Sequence, residues 1–128
     1  MFKVKIDLAD TVFSLAVRTR DGWTCVRCGR VFHGKARRNL DCSHFWGRGR
    51  ENTRFDPENC DALCKIPCHP LWEKDERNDY EAFKIKQLGQ AGFDVLRVRA
   101  YTYKKKDRKM RLIEAREYLK QVQDENHE

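Results

Sequence analysis

No stretch of this 128-residue sequence approaches the roughly 18 uninterrupted apolar residues that a membrane span requires. Its first ten residues have no apolar centre of the kind a secretory leader carries, because Lys3, Lys5 and Asp7 interrupt them. Internal repeats are missing, and Lys104-Lys105-Lys106 is the nearest approach to a low-complexity run. Apolar residues are also scarce: 40% of the chain is hydrophobic and 37% charged, so the core is thin and needs a staple. The expectation is one soluble domain, residues 1–128, in a reducing cytoplasm and without a membrane partner.

Cysteine is what the sequence has in compensation. Six are present, and in a reducing compartment closely spaced cysteines more often bind metal than form disulfides. Cys25 and Cys28 have the two-residue spacer that lets both thiolates of a turn reach one zinc ion. Cys64 and Cys68 form a second pair with a three-residue spacer, Lys65-Ile66-Pro67. Together they make a four-thiolate structural zinc site joining an early turn to a later helix. Cys60 in place of Cys68, or His69 as a replacement ligand, remain open alternatives. Cys42 and Cys60 are otherwise read as buried free thiols.

Acidic residues are sparse where basic ones are dense. The formal charge is +7, with an isoelectric point near 9.2. Residues 27–54 hold eight Lys or Arg against Asp41 and Glu51, and residues 97–111 hold eight more against Asp107. Two such blocks suit a phosphate backbone, so DNA is the expected partner, with Lys104, Lys105, Lys106 and Arg108 among its contacts.

Along the chain, residues 1–9 read as an extended lead-in and Asp10 as the cap of a helix to about residue 19. A short hairpin is expected over 23–32 and a strand over 40–45. A flexible loop opened by Gly47-Arg48-Gly49-Arg50 runs to Asn59, and a second strand covers 61–64. Helices follow from Pro70, with an end marked by Gly89 and Gly92. Phe93, Leu96, Ala100 and Tyr103 then recur at helical spacing, as do Leu112, Ala115, Leu119 and Val122; the last half-dozen residues should fray. The fold class is α+β, with a core over about 23–77 and basic helices over about 79–123.

Into this frame fall Asp41-Cys42-Ser43-His44, then Asn59-Cys60-Asp61-Ala62-Leu63-Cys64, then Cys68-His69. This order of His, Asn and His among paired cysteines resembles the HNH endonucleases, whose core is the ββα-metal fold. With Arg54-Phe55-Asp56-Pro57-Glu58 it looks most like phage and prophage members and NinG-like recombination nucleases. The resemblance covers 25–69, about a third of the chain.

The resemblance implies a metal-dependent DNA endonuclease leaving 5′-phosphate and 3′-hydroxyl ends. His44 would be the general base. Asp41 and His69 would hold a catalytic Mg²⁺ or Mn²⁺, and Asn59 would brace the hairpin or orient His44. Arg54 is the first choice to hold the scissile phosphate, ahead of Arg48 and Arg50. Ser43 stands where most members have the aspartate, which places Asp41 about 7 Å back along the strand. A homodimer is left open. The alternative function is a non-catalytic zinc-stabilised DNA-binding or packaging-accessory domain.

Overall fold

The computed structural model describes residues 4–126. Its first helix, α1 (Leu8–Arg20), begins at a reciprocal capping box: the Asp7 carboxylate accepts the Asp10 N–H, and the Asp10 carboxylate accepts the Asp7 N–H. Asp10 is therefore the third helical residue rather than the cap. Phe13, Ala16 and Val17 form the buried stripe of α1. A knuckle follows, held by one bridge between Thr24 and Val31 and by the Gly29 N–H on the Cys25 carbonyl. Gly29 adopts φ +79°, which only glycine takes without cost, and this turns the chain so that Cys25 and Cys28 face the same way.

Strand β1 (Leu40–His44) pairs antiparallel with β2 (Cys60–Cys64), with Leu40 opposite Cys64, Ser43 opposite Asp61 and His44 opposite Cys60. Alternation gives this two-stranded sheet two different faces. Cys42, His44 and Cys60 share one, where Phe13 of α1 lies with its ring centroid 6.3 Å from that of His44. Asp41, Ser43 and Asp61 share the other, where buried Tyr80 and Lys84 hydrogen-bond to Asp61 at 2.9 and 3.0 Å.

The segment between the strands, expected to be a flexible loop, is folded. It contains α2 (Glu51–Arg54) and a 3-10 turn (Pro57–Asn59). Distant residues hold it: Arg99 bonds Asp56 and Glu58, Arg111 bonds Glu51, and Arg54 bonds Asp10. None of these partners is local, so the segment looked unstructured from its own residues.

Beyond β2, α3 (Cys68–Pro70) leads through a π turn (Leu71–Asp75) into α4 (Arg77–Ala100), which Gly89 interrupts at φ +77°. Phe93, Leu96 and Ala100 are buried as their spacing predicts. Tyr103 is not: α4 stops at Ala100, so the ring lies beyond the helix and is 87% exposed. Residues 97–111 thus comprise a helix end, a linker and the first turn of α5 (Arg108–Glu125), not one continuous basic helix. Helix α5 packs on α1, with Ala115 and Val122 buried and Tyr118 5.8 Å from Phe13 between ring centroids. It remains helical to Glu125; the last two residues, in the tail expected to fray, and the first three of the lead-in lie outside the described residues. The whole is an α+β arrangement with more helix than strand.

Arg54 is 2% exposed, and its guanidinium meets both oxygens of Asp10, which is equally buried. Asp10→Ala would leave that buried charge with only Glu51, 3.9 Å away, as a carboxylate partner. It should lower the unfolding free energy by about 3–5 kcal/mol in urea titration. A loss under about 1 kcal/mol would show that Arg54 finds another partner there.

Candidate functional site

Four sulfur atoms converge where the knuckle meets the end of β2 and the start of α3. The Sγ atoms of Cys25, Cys28, Cys64 and Cys68 lie within 4.8 Å of one another; Cys28 is exposed and the other three are buried. A tetrahedral zinc–thiolate site, with bonds near 2.3 Å, places its sulfurs about 3.8 Å apart, so the four could hold a structural metal such as zinc. Cys68 rather than Cys60 completes the set, despite its wider spacer, because the turn over residues 65–67 brings Cys68, at the start of α3, back beside Cys64. The Cys68 N–H points to Cys64 Sγ at 3.4 Å.

The electrostatics of the four thiols match their crowding. Burial opposes ionisation of Cys25, but N–H groups of Cys28, Cys64 and Arg27 outweigh it and draw that thiol down to about 7. Burial pushes Cys68 up to about 12, with the neighbouring sulfurs adding to the rise. A cation held among the sulfurs would favour their ionised form against that burial. Arg27 offsets part of that charge: its guanidinium lies 3.2 Å from Cys68 Sγ and 2.8 Å from Glu76.

His44 ends β1 with its two ring nitrogens in unequal situations. Nε2 is 2.9 Å from the Arg54 carbonyl, an acceptor only, so Nε2 carries the hydrogen and donates. Nδ1 is then the free lone pair, buried and without a partner. Arg48 Nε is the other buried side-chain polar atom without a hydrogen bond among the described residues; its nearest carboxylate oxygen, on Asp10, is 3.8 Å away. Burial, then the positive charge of Arg48, holds the imidazole down at about 4. The charge of Arg48 is thus felt at His44. Cys42 and Cys60 place their sulfurs within 4.8 Å of a His44 nitrogen, yet burial keeps the Cys60 thiol far above its ordinary range, so it stays protonated.

Asp41 and His69, 28 residues apart in sequence, meet on the other face: Asp41 Oδ2 is 2.9 Å from His69 Nδ1. Lys65 is 3.2 Å from the second Asp41 oxygen, and Glu73 is 3.8 Å from His69 Nε2. Although burial opposes it, contacts with His69 and Lys65 hold the Asp41 carboxyl below its usual range. The pair is about one-quarter exposed.

The remaining expected site residues divide into braces and surface groups. Asn59 is fully buried; its Nδ2 donates to the carbonyls of Trp46 and Thr53, and its Oδ1 accepts the Trp46 N–H. It closes the folded segment whose Arg54 carbonyl orients His44. The side chain of Arg54, expected to hold a phosphate, is turned inward to Asp10 and is not presented to one. Arg50 is exposed, Arg48 partly so, and Lys104, Lys105, Lys106 and Arg108 lie exposed on the α4–α5 linker and the first turn of α5. A concavity of about 710 Å³ runs along this basic stretch. Sequence reasoning missed Asp10, Lys84 and Tyr80; a lone acid or lysine inside a helical pattern carries no local sign of a buried partner.

Two measurements test these assignments. Purified protein should contain one zinc per chain by elemental analysis, and Cys64→Ser should lose the metal and melt well below the wild type. A metal-free variant with unchanged melting would remove the staple. By NMR, the His44 ring should stay neutral until the pH approaches about 4. Because an unfolded histidine takes its proton near 6.5, this group's stabilising share is complete above that pH and is lost as pH falls from about 6.5 toward 4. A His44 titration near 6.5 would contradict the burial of its ring.

No protein-family model, curated protein or solved structure matches this chain.

Proposed function

We propose that this chain is a metal-dependent DNA endonuclease of the HNH type, cutting phosphodiester bonds to leave 5′-phosphate and 3′-hydroxyl ends. The observation that carries this reading is the presence of two unsatisfied buried atoms, His44 Nδ1 at the end of β1 and Arg48 Nε in the loop that follows it. Burying polar atoms without partners is costly, and their persistence marks a place where a substrate or water completes the set.

In this reading the Arg54 carbonyl fixes the tautomer of His44, leaving Nδ1 to take a proton from water. The water oxygen bonds to phosphorus, the bond to the 3′ oxygen breaks, and that oxygen acquires a proton from solvent. Held near 4, the imidazole remains a free base throughout the neutral range. Arg48 lies between Gly47 and Gly49, is partly exposed and bears on His44 through its positive charge; in this reading it turns outward to the phosphate and leaves Nδ1 to water. Asn59 acts through the backbone by holding the segment that carries the Arg54 carbonyl. A Mg²⁺ or Mn²⁺ ion on Asp41 and His69 would supply positive charge for the leaving oxygen.

A second reading, a non-catalytic zinc-stabilised DNA-binding domain, is favoured by the place of Asp41 on β1, on the face opposite His44 and three residues before it. The family arrangement has the same property, because an aspartate at position 43 would also face away from residue 44. The difference lies along the strand, two residues farther back.

Plasmid nicking with Mg²⁺ or Mn²⁺ separates the two readings. His44→Ala should slow nicking at least about a hundredfold with zinc content intact. Arg48→Ala should also lose rate, and the rate should hold as pH falls to about 5 before it drops. Wild-type protein that binds DNA but does not nick it with either metal would favour the second reading.

A further inference from the structure

The linker from Tyr101 to Lys106 reads Tyr-Thr-Tyr-Lys-Lys-Lys, and its two rings lie in solvent: Tyr101 is 64% exposed and Tyr103 87%. Neither contributes to the core that Phe93, Leu96 and Ala100 build just before it. The guanidinium of Arg50 lies over the Tyr101 ring, 4.1 Å from its centroid. That contact joins the linker to the Gly47–Arg50 loop beside His44. Three concavities meet along this line. One of about 280 Å³ lies between Arg50, Tyr101, Tyr103 and Lys104; the basic one of about 710 Å³ continues from Lys104. A third, of about 190 Å³, runs from Tyr101 back to Phe45 and Trp46, the residues directly after His44.

Lysines grip a phosphate backbone whether the strand is paired or single. Exposed aromatic rings discriminate, because a base offers its flat face only when it is unstacked. In a duplex both faces of each internal base are covered by neighbours. A guanidinium stacked on a tyrosine adds a second flat, cationic surface.

We infer that Tyr101, Tyr103 and Arg50 form a stacking platform for unpaired bases, so that the DNA engaged here carries a single-stranded segment running along Lys104–Lys106. This deepens the endonuclease reading by naming its substrate class as single-stranded or branched DNA, and it rests on that reading only for the cleavage.

Binding measured without divalent metal tests the platform separately from catalysis. Fluorescence anisotropy would compare a labelled single strand, the matching duplex, a duplex with a single-stranded arm, and RNA of the single-strand sequence. The single strand and the armed duplex should bind about tenfold tighter than the plain duplex. Tyr101→Ala with Tyr103→Ala should weaken single-strand binding by about tenfold to a hundredfold and leave duplex binding within about threefold. Phenylalanine at both positions should restore it. Changing Lys104–Lys106 to alanine should weaken both DNAs alike and flatten the salt dependence.

Equal affinity of the wild type for single strand and duplex overturns the platform, as does an equal loss for both in the double alanine variant. Tighter binding of RNA than of DNA overturns the substrate assignment. A chain that binds single strands through these tyrosines but never nicks DNA keeps the platform and loses the hydrolase. One that nicks while the tyrosine variants bind as wild type does the reverse.

Discussion

The convergence of four sulfur atoms is the constraint on which the rest of the hairpin depends. Cys25 and Cys28 belong to the knuckle after α1, Cys64 ends β2, and Cys68 begins α3. Bringing them together fixes where β2 leaves the sheet. Cys64 in turn lies opposite Leu40, so the cluster also anchors the register of β1. A one-residue slip would move His44 to the face that Asp41 now occupies. In a chain with so small an apolar share, and only a two-stranded sheet, hydrophobic packing alone specifies register weakly. A shared ion would do so strongly, because each sulfur would have one position in the tetrahedron.

Two buried charge pairs extend that order outward, one on each face. Asp10 and Arg54 lock α1 to the inter-strand segment, while Asp61 and Lys84, with Tyr80, lock α4 to β2. Such pairs add little net stability, since both charges lose their water, but an unpaired partner is severely penalised. Their effect is therefore to exclude other arrangements. Arg54 shows the economy of this: its side chain satisfies Asp10, and its carbonyl accepts from His44. One residue links the position of α1 to the tautomer of the candidate base.

Much of this was legible in the sequence, and what was not has a common physical cause. The four cysteines, both strands and the break at Gly89 all depend on local spacing or local backbone chemistry, and they fall within a residue or two of expectation. The inter-strand segment read as loop because its order comes from Arg99 and Arg111, some 40 to 60 residues away. Tyr103 fitted the helical period, but a period does not say where a helix stops. Arg54 looked like a phosphate ligand because of its family-like context, and an exposed and a buried arginine are identical in sequence. Only its distant partner, Asp10, distinguishes them.

The same reasoning bears on how a hairpin of this size can host chemistry. A two-stranded sheet has no interior, so each side chain of β1 belongs to one face or the other. Groups on the two faces can act on one substrate only past the end of the strand. His44 is at that end, next to the Phe45–Trp46 turn and the loop that carries Arg48 and Arg50. Asp41 is three residues back, about 10 Å along an extended chain. A phosphate held at the strand end would therefore meet the imidazole directly, and the Asp41–His69 pair from the opposite side and at greater distance. The exposed rings and lysines of the 101–106 linker lie beyond the same loop, joined to it through Arg50. The strand end, rather than either face of the sheet, is thus the place where the candidate base, the loop arginines and the basic surface come closest to a common path.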